Sequence, residues 1–78
     1  MESIYKEIAK NIKRCRKEKA LSQEQLAEKA DLSRNYVSLV ETYKEKIGMS
    51  AFIKIKMALN VSASDLFGDI NNMKELDS

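Results

Sequence analysis

The stretch that decides the fold is Gln23-Glu24-Gln25-Leu26-Ala27-Glu28-Lys29-Ala30-Asp31-Leu32-Ser33-Arg34-Asn35-Tyr36-Val37-Ser38-Leu39-Val40-Glu41. Ser22 stands just before it with Gln25 three residues later, the pattern of a capping box, in which the hydroxyl accepts an amide hydrogen bond and the glutamine reaches back. A helix therefore starts at Gln23. It carries Leu26, Ala27 and Ala30 on one side and ends near Ala30, because Asp31 enters the left-handed backbone region more readily than most residues. Ser33 offers a second cap, and Val37 and Val40, three apart, place apolar side chains on one side of a helix that begins at Arg34. Two short helices thus flank a tight turn.

Working outward, Ile4, Ile8, Ile12 and Cys15 recur at spacings of four, four and three, which predicts a first helix over about residues 3–19 with one apolar stripe. Met49, Phe52, Ile55, Ala58 and Leu59 give a fourth amphipathic pattern ending near Asn60, and Ser62 caps a last short helix carrying Leu66 and Phe67. The expected fold is all-α, a five-helix domain over residues 1–68. Residues 69–78 form a polar tail, either frayed or ordered by a partner such as a second copy. Pattern alone does not identify the dimer contacts, though the fifth helix and tail, with Leu66, Phe67, Ile70 and Met73, offer the most apolar surface outside the core.

Composition agrees. The chain has 78 residues, no proline and two glycines, too few breakers for a turn-rich β sandwich or barrel. A domain this small buries only about 60% of its unfolded surface, so dimerisation would help it. There is one cysteine, Cys15, and no histidine. An internal disulfide is excluded, and Cys15 on the apolar stripe reads as a small core residue. No secretory signal pattern is evident, and the expected compartment is the reducing cytoplasm. No apolar run approaches the roughly 20 residues that span a bilayer. Without histidine, a second cysteine or a glycine-rich loop there is no obvious nucleophile, base, phosphate cradle or metal cluster, and the carboxylates form no constellation. The chain reads as a non-enzyme with no cofactor and no metal. A membrane-surface role for the basic first helix is disfavoured, because its apolar stripe is needed for the core.

The net charge of +2 is too small to argue for nucleic acid by itself. Its distribution is polarised: residues 1–20 carry net +4 and residues 65–78 net −3.

The stretch 23–41 closely resembles the helix-turn-helix of phage repressor and Cro-type (XRE-like) transcriptional regulators. The likeness lies in Gln23 opening the second helix, the small Ala27 facing the third, Leu32 after the turn, Ser33 as cap, and Val37 and Val40 as core. It extends over roughly residues 8–67. Ala27 also makes physical sense, since two helices crossing steeply need a small residue at the crossing. The resemblance implies that the helix from Arg34 lies in the major groove of double-stranded DNA while the second crosses the backbone. Base contacts then fall to Arg34, whose planar fork matches guanine O6 and N7, to Asn35, which can pair with adenine, and to Ser38 and Leu39 on the same face. Phosphate contacts fall to Gln23, Ser33, Tyr36, Thr42, Tyr43, Lys44 and Lys46, which orient rather than specify. It also implies a homodimer on a pseudo-palindromic operator, acting as a repressor in preference to an activator.

Arg16 and Glu41 resemble a charge pair that ties the first helix to the end of the recognition helix in this family. Read without the family, the two are equally an exposed salt bridge worth about 0–1 kcal/mol, and burial would decide. Arg34, Asn35 and Ser38 read in the same way as a solvated helix face. The leading alternative function is accordingly a helical protein-binding module, such as an antitoxin-like partner.

Two departures from the family stand out. Asp31 takes the turn position where glycine is commoner, a tolerable change. After Glu41 the chain runs Thr42-Tyr43-Lys44-Glu45-Lys46-Ile47-Gly48, without the usual Asn-Gly and proline. Tyr43 in place of glycine makes a left-handed cap costly by about 1 kcal/mol, so helix three is expected to continue to about Lys46 and stop at Gly48.

Overall fold

Each of two serines, Ser22 and Ser62, holds the first turn of a helix by a reciprocal pair of bonds. In the computed structural model of the chain, which describes residues 2–68, the Ser22 hydroxyl accepts from the Gln25 amide at 3.0 Å and Gln25 Oε1 accepts from the Ser22 amide at 2.8 Å. Ser62 and Asp65 repeat this at 3.2 and 2.9 Å. The Ser33 hydroxyl accepts from the Tyr36 amide at 3.0 Å. These caps open α2 (Gln23–Ala30), α3 (Arg34–Glu41) and α5 (Ala63–Phe67). With α1 (Glu2–Glu18) and α4 (Met49–Leu59) the described chain is all-α.

The helix ends are less ordinary. With few glycines to spend, α1, α2, α3 and α4 are each followed by a non-glycine residue at positive φ: Ala20 at 57°, Asp31 at 55°, Tyr43 at 65° and Asn60 at 56°. Asp31 and Asn60 are residue types that enter this region at least cost. Ala20 and Tyr43 are not, and both sit in Schellman motifs. The Ala20 amide donates to the Lys17 carbonyl and the Leu21 amide to the Arg16 carbonyl, each at 3.0 Å. The Tyr43 amide donates to Val40 at 3.1 Å and the Lys44 amide to Leu39 at 2.9 Å.

Helix three therefore stops at Glu41, and the expected extension to Lys46 is wrong. A left-handed tyrosine costs about 1–2 kcal/mol. Each carbonyl satisfied at the helix end returns about 0.5–1.5 kcal/mol, and the reversal lets Ile47 pack against the core. The sum favours the turn.

One core unites the helices. Ile8, Ile12 and Cys15 of α1 meet Leu26, Ala27 and Ala30 of α2, Val37 and Val40 of α3, Phe52, Ile55 and Leu59 of α4, and Leu66 of α5. Met49, expected on the inner face of α4, stands outside, 74% exposed. Leu66, read from the sequence as apolar surface outside the core, is instead 0% exposed and belongs to the core. The cause is α1: Asn11, itself buried, donates from Nδ2 to the Leu66 carbonyl at 3.0 Å and draws α5 inward. Phe67 is half-buried with its ring 5.2 Å from that of Phe52. Ile70 and Met73 lie outside the described residues. Gly68 closes this joint at φ 71°, where a Cβ would come within 2.7 Å of Asn11 Nδ2 and 2.9 Å of Glu7 Oε2, so only glycine fits without displacement.

Candidate nucleic-acid interface

α3 turns Val37, Val40 and Glu41 inward. At 3.6 residues per turn the opposite side is the line Asn35, Ser38, Leu39 and Thr42, with Arg34 on its flank. Arg34 and Asn35 are exposed, and Ser38 and Leu39 are half-buried. The first turn of α3 contains no acidic residue. The positive end of the helix dipole and the Arg34 guanidinium therefore add rather than cancel.

The expected phosphate-contacting residues divide by what their polar atoms already do. Ser33 accepts from Tyr36 through its oxygen and keeps its proton to donate. The Tyr36 hydroxyl accepts from the Gly48 amide at 3.0 Å, which fastens the start of α4 to α3 and leaves the phenol proton to donate outward. Thr42 is spent: its hydroxyl donates to the Ser38 carbonyl at 2.8 Å, and its amide also bonds within α3. Lys46 Nζ lies 5.4 Å from the Tyr5 ring centroid in a cation–π contact, so this ammonium ties the loop after α3 to α1. Tyr43 and Lys44 are exposed on that loop.

Gln23 points inward rather than outward. Its Nε2 donates to Glu41 Oε1 at 3.0 Å. The same carboxylate takes a bidentate grip from Arg16, Nε to Oε2 at 2.8 Å and Nη2 to Oε1 at 3.0 Å, while Arg16 Nη1 donates to the Leu21 carbonyl at 2.8 Å. Arg16 is 8% exposed and Glu41 5%. Burial at that level rules out the ordinary surface salt bridge. The cluster joins the end of α1, the α1–α2 link, the start of α2 and the end of α3. Together with the buried Ala27, whose carbonyl accepts from the Leu32 amide at 2.8 Å, it sets how α3 lies against α2.

The Asp65 carboxyl is held below the usual carboxylate range by the Ser62 amide, with further lowering by the Ser62 hydroxyl. Among the described residues there is no grouping of potential ligands that could hold a metal ion. No helix among them is long and apolar enough to cross a membrane.

Two structural residues escaped the sequence reading. Asn11 carries no signal in a helix otherwise read for its apolar stripe. The inward turn of Gln23 depends on a partner eighteen residues away. Only the spacing of Gln23 relative to Glu41 within the helix-turn-helix could have suggested it.

The Helix-turn-helix family model matches residues 12–66. The control protein C.MunI of a Mycoplasma species is 38% identical over 71 residues, covering 90% of this chain and 96% of that protein. The immunity repressor of Bacillus phage phi105 is 37% identical over 68 residues, covering 87% of this chain and 47% of that protein. Among solved structures, the hypothetical transcription factor NHTF from Neisseria superposes with a TM-score of 0.81 at 34% identity, covering 97% of this chain and 88% of that one. The match includes every element that builds the α2–α3 unit and its buried Arg16–Glu41 tie, and the chain belongs to the phage repressor and Cro-type (XRE-like) helix-turn-helix family of DNA-binding transcriptional regulators.

Proposed function

We propose that this chain acts as a homodimer on a pseudo-palindromic operator, with one α3 in the major groove of each half-site about 34 Å apart, and that it represses transcription. The observation that carries the reading is the outward face of α3, on which Arg34, Asn35, Ser38 and Leu39 stand together while the opposite face is locked by Glu41. Arg34 pairs with guanine, Asn35 with adenine, Ser38 with a base or phosphate, and Leu39 packs on a thymine methyl. Ser33, Tyr36, Tyr43 and Lys44 hold phosphates and set the register. Gln23 contributes through the open amide end of α2 and the one Nε2 proton that Glu41 leaves free. The relatives named control protein and immunity repressor support a regulatory role.

Selection from a random duplex DNA pool at physiological salt tests this. Enrichment of a two-fold symmetric motif is expected. Binding that enriches no sequence would replace the reading with a helical protein-binding module.

A further inference from the structure

α1 sorts its cations by flank. Its core-facing line is Ile8, Ile12 and Cys15. On one side of that line it meets α5 through Asn11, and there the cations are paired: Lys10 Nζ lies 3.9 Å from Glu7 Oε1, and Arg14 Nη1 lies 3.3 Å from Glu18 Oε2. On the other side it meets α3 through Arg16. Lys6, Lys13 and Lys17, spaced by seven and four, fall within an arc of about 40° on the outer face of α1, on the half nearer α3. All three are exposed, and none forms an ion pair among the described side chains.

The loop after α3 runs beside that half of α1. Glu41 fixes its start on Arg16, Oε2 to Nε 2.8 Å, and Lys46 fixes its end over the Tyr5 ring at 5.4 Å. The loop therefore travels back along α1 from Arg16 to Tyr5, leaving a shallow cleft of about 60 Å³ lined by Tyr5, Lys6, Val40, Tyr43, Glu45 and Lys46. Lys44 and Lys46 on the loop and Lys6, Lys13 and Lys17 on the helix form neighbouring rows of cations. Such a row costs the helix something. From Ile8 to Lys17 there is no carboxylate, and Lys6–Lys10, Lys10–Arg14 and Lys13–Lys17 are like-charge neighbours four apart, which weaken a helix. A face that is only solvated carries both signs in alternation.

We propose that Lys6, Lys13 and Lys17 hold the phosphate backbone of the duplex beyond the stretch that α3 reads. The proposal rests on the reading above that Tyr43 and Lys44 meet phosphate, and it carries that contact outward from the loop onto α1. Lys6 to Lys17 spans about 17 Å of helix. At 3.4 Å per nucleotide along a strand, that is about five nucleotides. The exposed positions from Lys6 to Lys17 hold only Lys and Arg. A protein partner needs an apolar centre to its interface, which this face lacks, whereas a polyanion needs only charge. Lysine, a point charge on a flexible stem, suits a contact that carries no sequence information.

The test compares the affinity of the full chain for the selected operator cut to its ends and for the same operator with about five further base pairs on each side. The parent is expected to bind the extended duplex roughly tenfold more tightly. Lys6→Gln with Lys13→Gln should lose that gain and change binding to the cut duplex little. On the extended duplex it should lower the slope of log affinity against log salt by about 0.9 for each lysine removed. Lys10→Gln with Arg14→Gln takes the same charge from the other flank and should keep both the gain and the slope. Circular dichroism and melting at parent levels establish that each variant is folded. A parent that gains nothing from the added base pairs, a Lys6, Lys13 variant that keeps the gain, or an equal loss in the Lys10, Arg14 variant would overturn the proposal. If no operator is selected, the salt slopes on one random duplex still separate the two double variants, so the failure of the operator reading and the failure of this surface are told apart.

Discussion

Gln23 and Glu41 are joined across eighteen residues: Gln23 Nε2 donates to Glu41 Oε1 at 3.0 Å, linking the first residue of α2 to the last of α3. This bond makes the start of α2 and the end of α3 parts of a single object. Arg16 holds the same carboxylate from α1. The inclination of α3 is therefore set from behind by a buried charge, and its outward side chains take no part in holding it.

Glu41→Ala should be the most damaging change to the fold. It leaves the Arg16 guanidinium buried without its counter-charge, at a cost of about 3–5 kcal/mol. In urea unfolding, the joint replacement Arg16→Met with Glu41→Leu should recover most of that loss, because no charge is then stranded. If the double variant is as unstable as the single one, the cluster is not the pair geometry describes.

Arg34→Ala and Gln23→Ala should separate reading from holding. Arg34→Ala is expected to leave thermal stability unchanged and to lose about 1–3 kcal/mol of discrimination at one base pair. Gln23→Ala is expected to weaken binding to all duplexes alike and to cost about 0.5–1.5 kcal/mol of stability through its lost bond to Glu41. Affinities on the selected operator and on single-base variants of it, alongside melting curves, check both.

Tyr43→Gly should raise stability by about 1 kcal/mol, since φ 65° suits glycine better than tyrosine. Ala20→Gly should act in the same direction at φ 57°. If affinity for DNA falls while stability rises in Tyr43→Gly, the phenol contacts phosphate. Unchanged affinity would assign Tyr43 to the turn alone.

Asp65 predicts an acid response at α5. Its carboxylate accepts from the Ser62 amide at 2.9 Å, and this bond lowers its pKa in the folded chain. Unfolding removes the bond, so the stability it contributes is fully present above the unfolded value and is lost as the pH falls through the lower, folded one. Asp65→Asn should therefore show a flatter fall in melting temperature on acidification than the parent, with a lower starting value at neutral pH.

The face of α3 that carries Arg34, Asn35, Ser38 and Leu39 was legible because it follows from a cap at Ser33 and the spacing of Val37 and Val40. What each polar atom does in the folded chain was not. Thr42 carries a hydroxyl fit for phosphate, but in the structure it donates to the Ser38 carbonyl. Lys46 reads as a free cation, but it lies over Tyr5 of a helix far away in sequence. Residue type states what a group can donate, and only its neighbours state whether the proton is already taken.

The sequence by itself determined where α2, α3 and α5 begin and most of the apolar positions that the helices turn to the core. Caps at Ser22, Ser33 and Ser62 and apolar spacings of three and four act within a single turn, so they are readable one segment at a time. Tertiary structure decided the rest. It ended α3 at Glu41, because docking Ile47 on the core, with the carbonyl bonds of the turn, outweighs the left-handed strain at Tyr43. It buried Leu66 through Asn11, paired Arg16 with Glu41 and Gln23, and left Met49, Ile53 and Met57 on the surface. These outcomes are balances between groups far apart in the chain, and only packing brings their terms together.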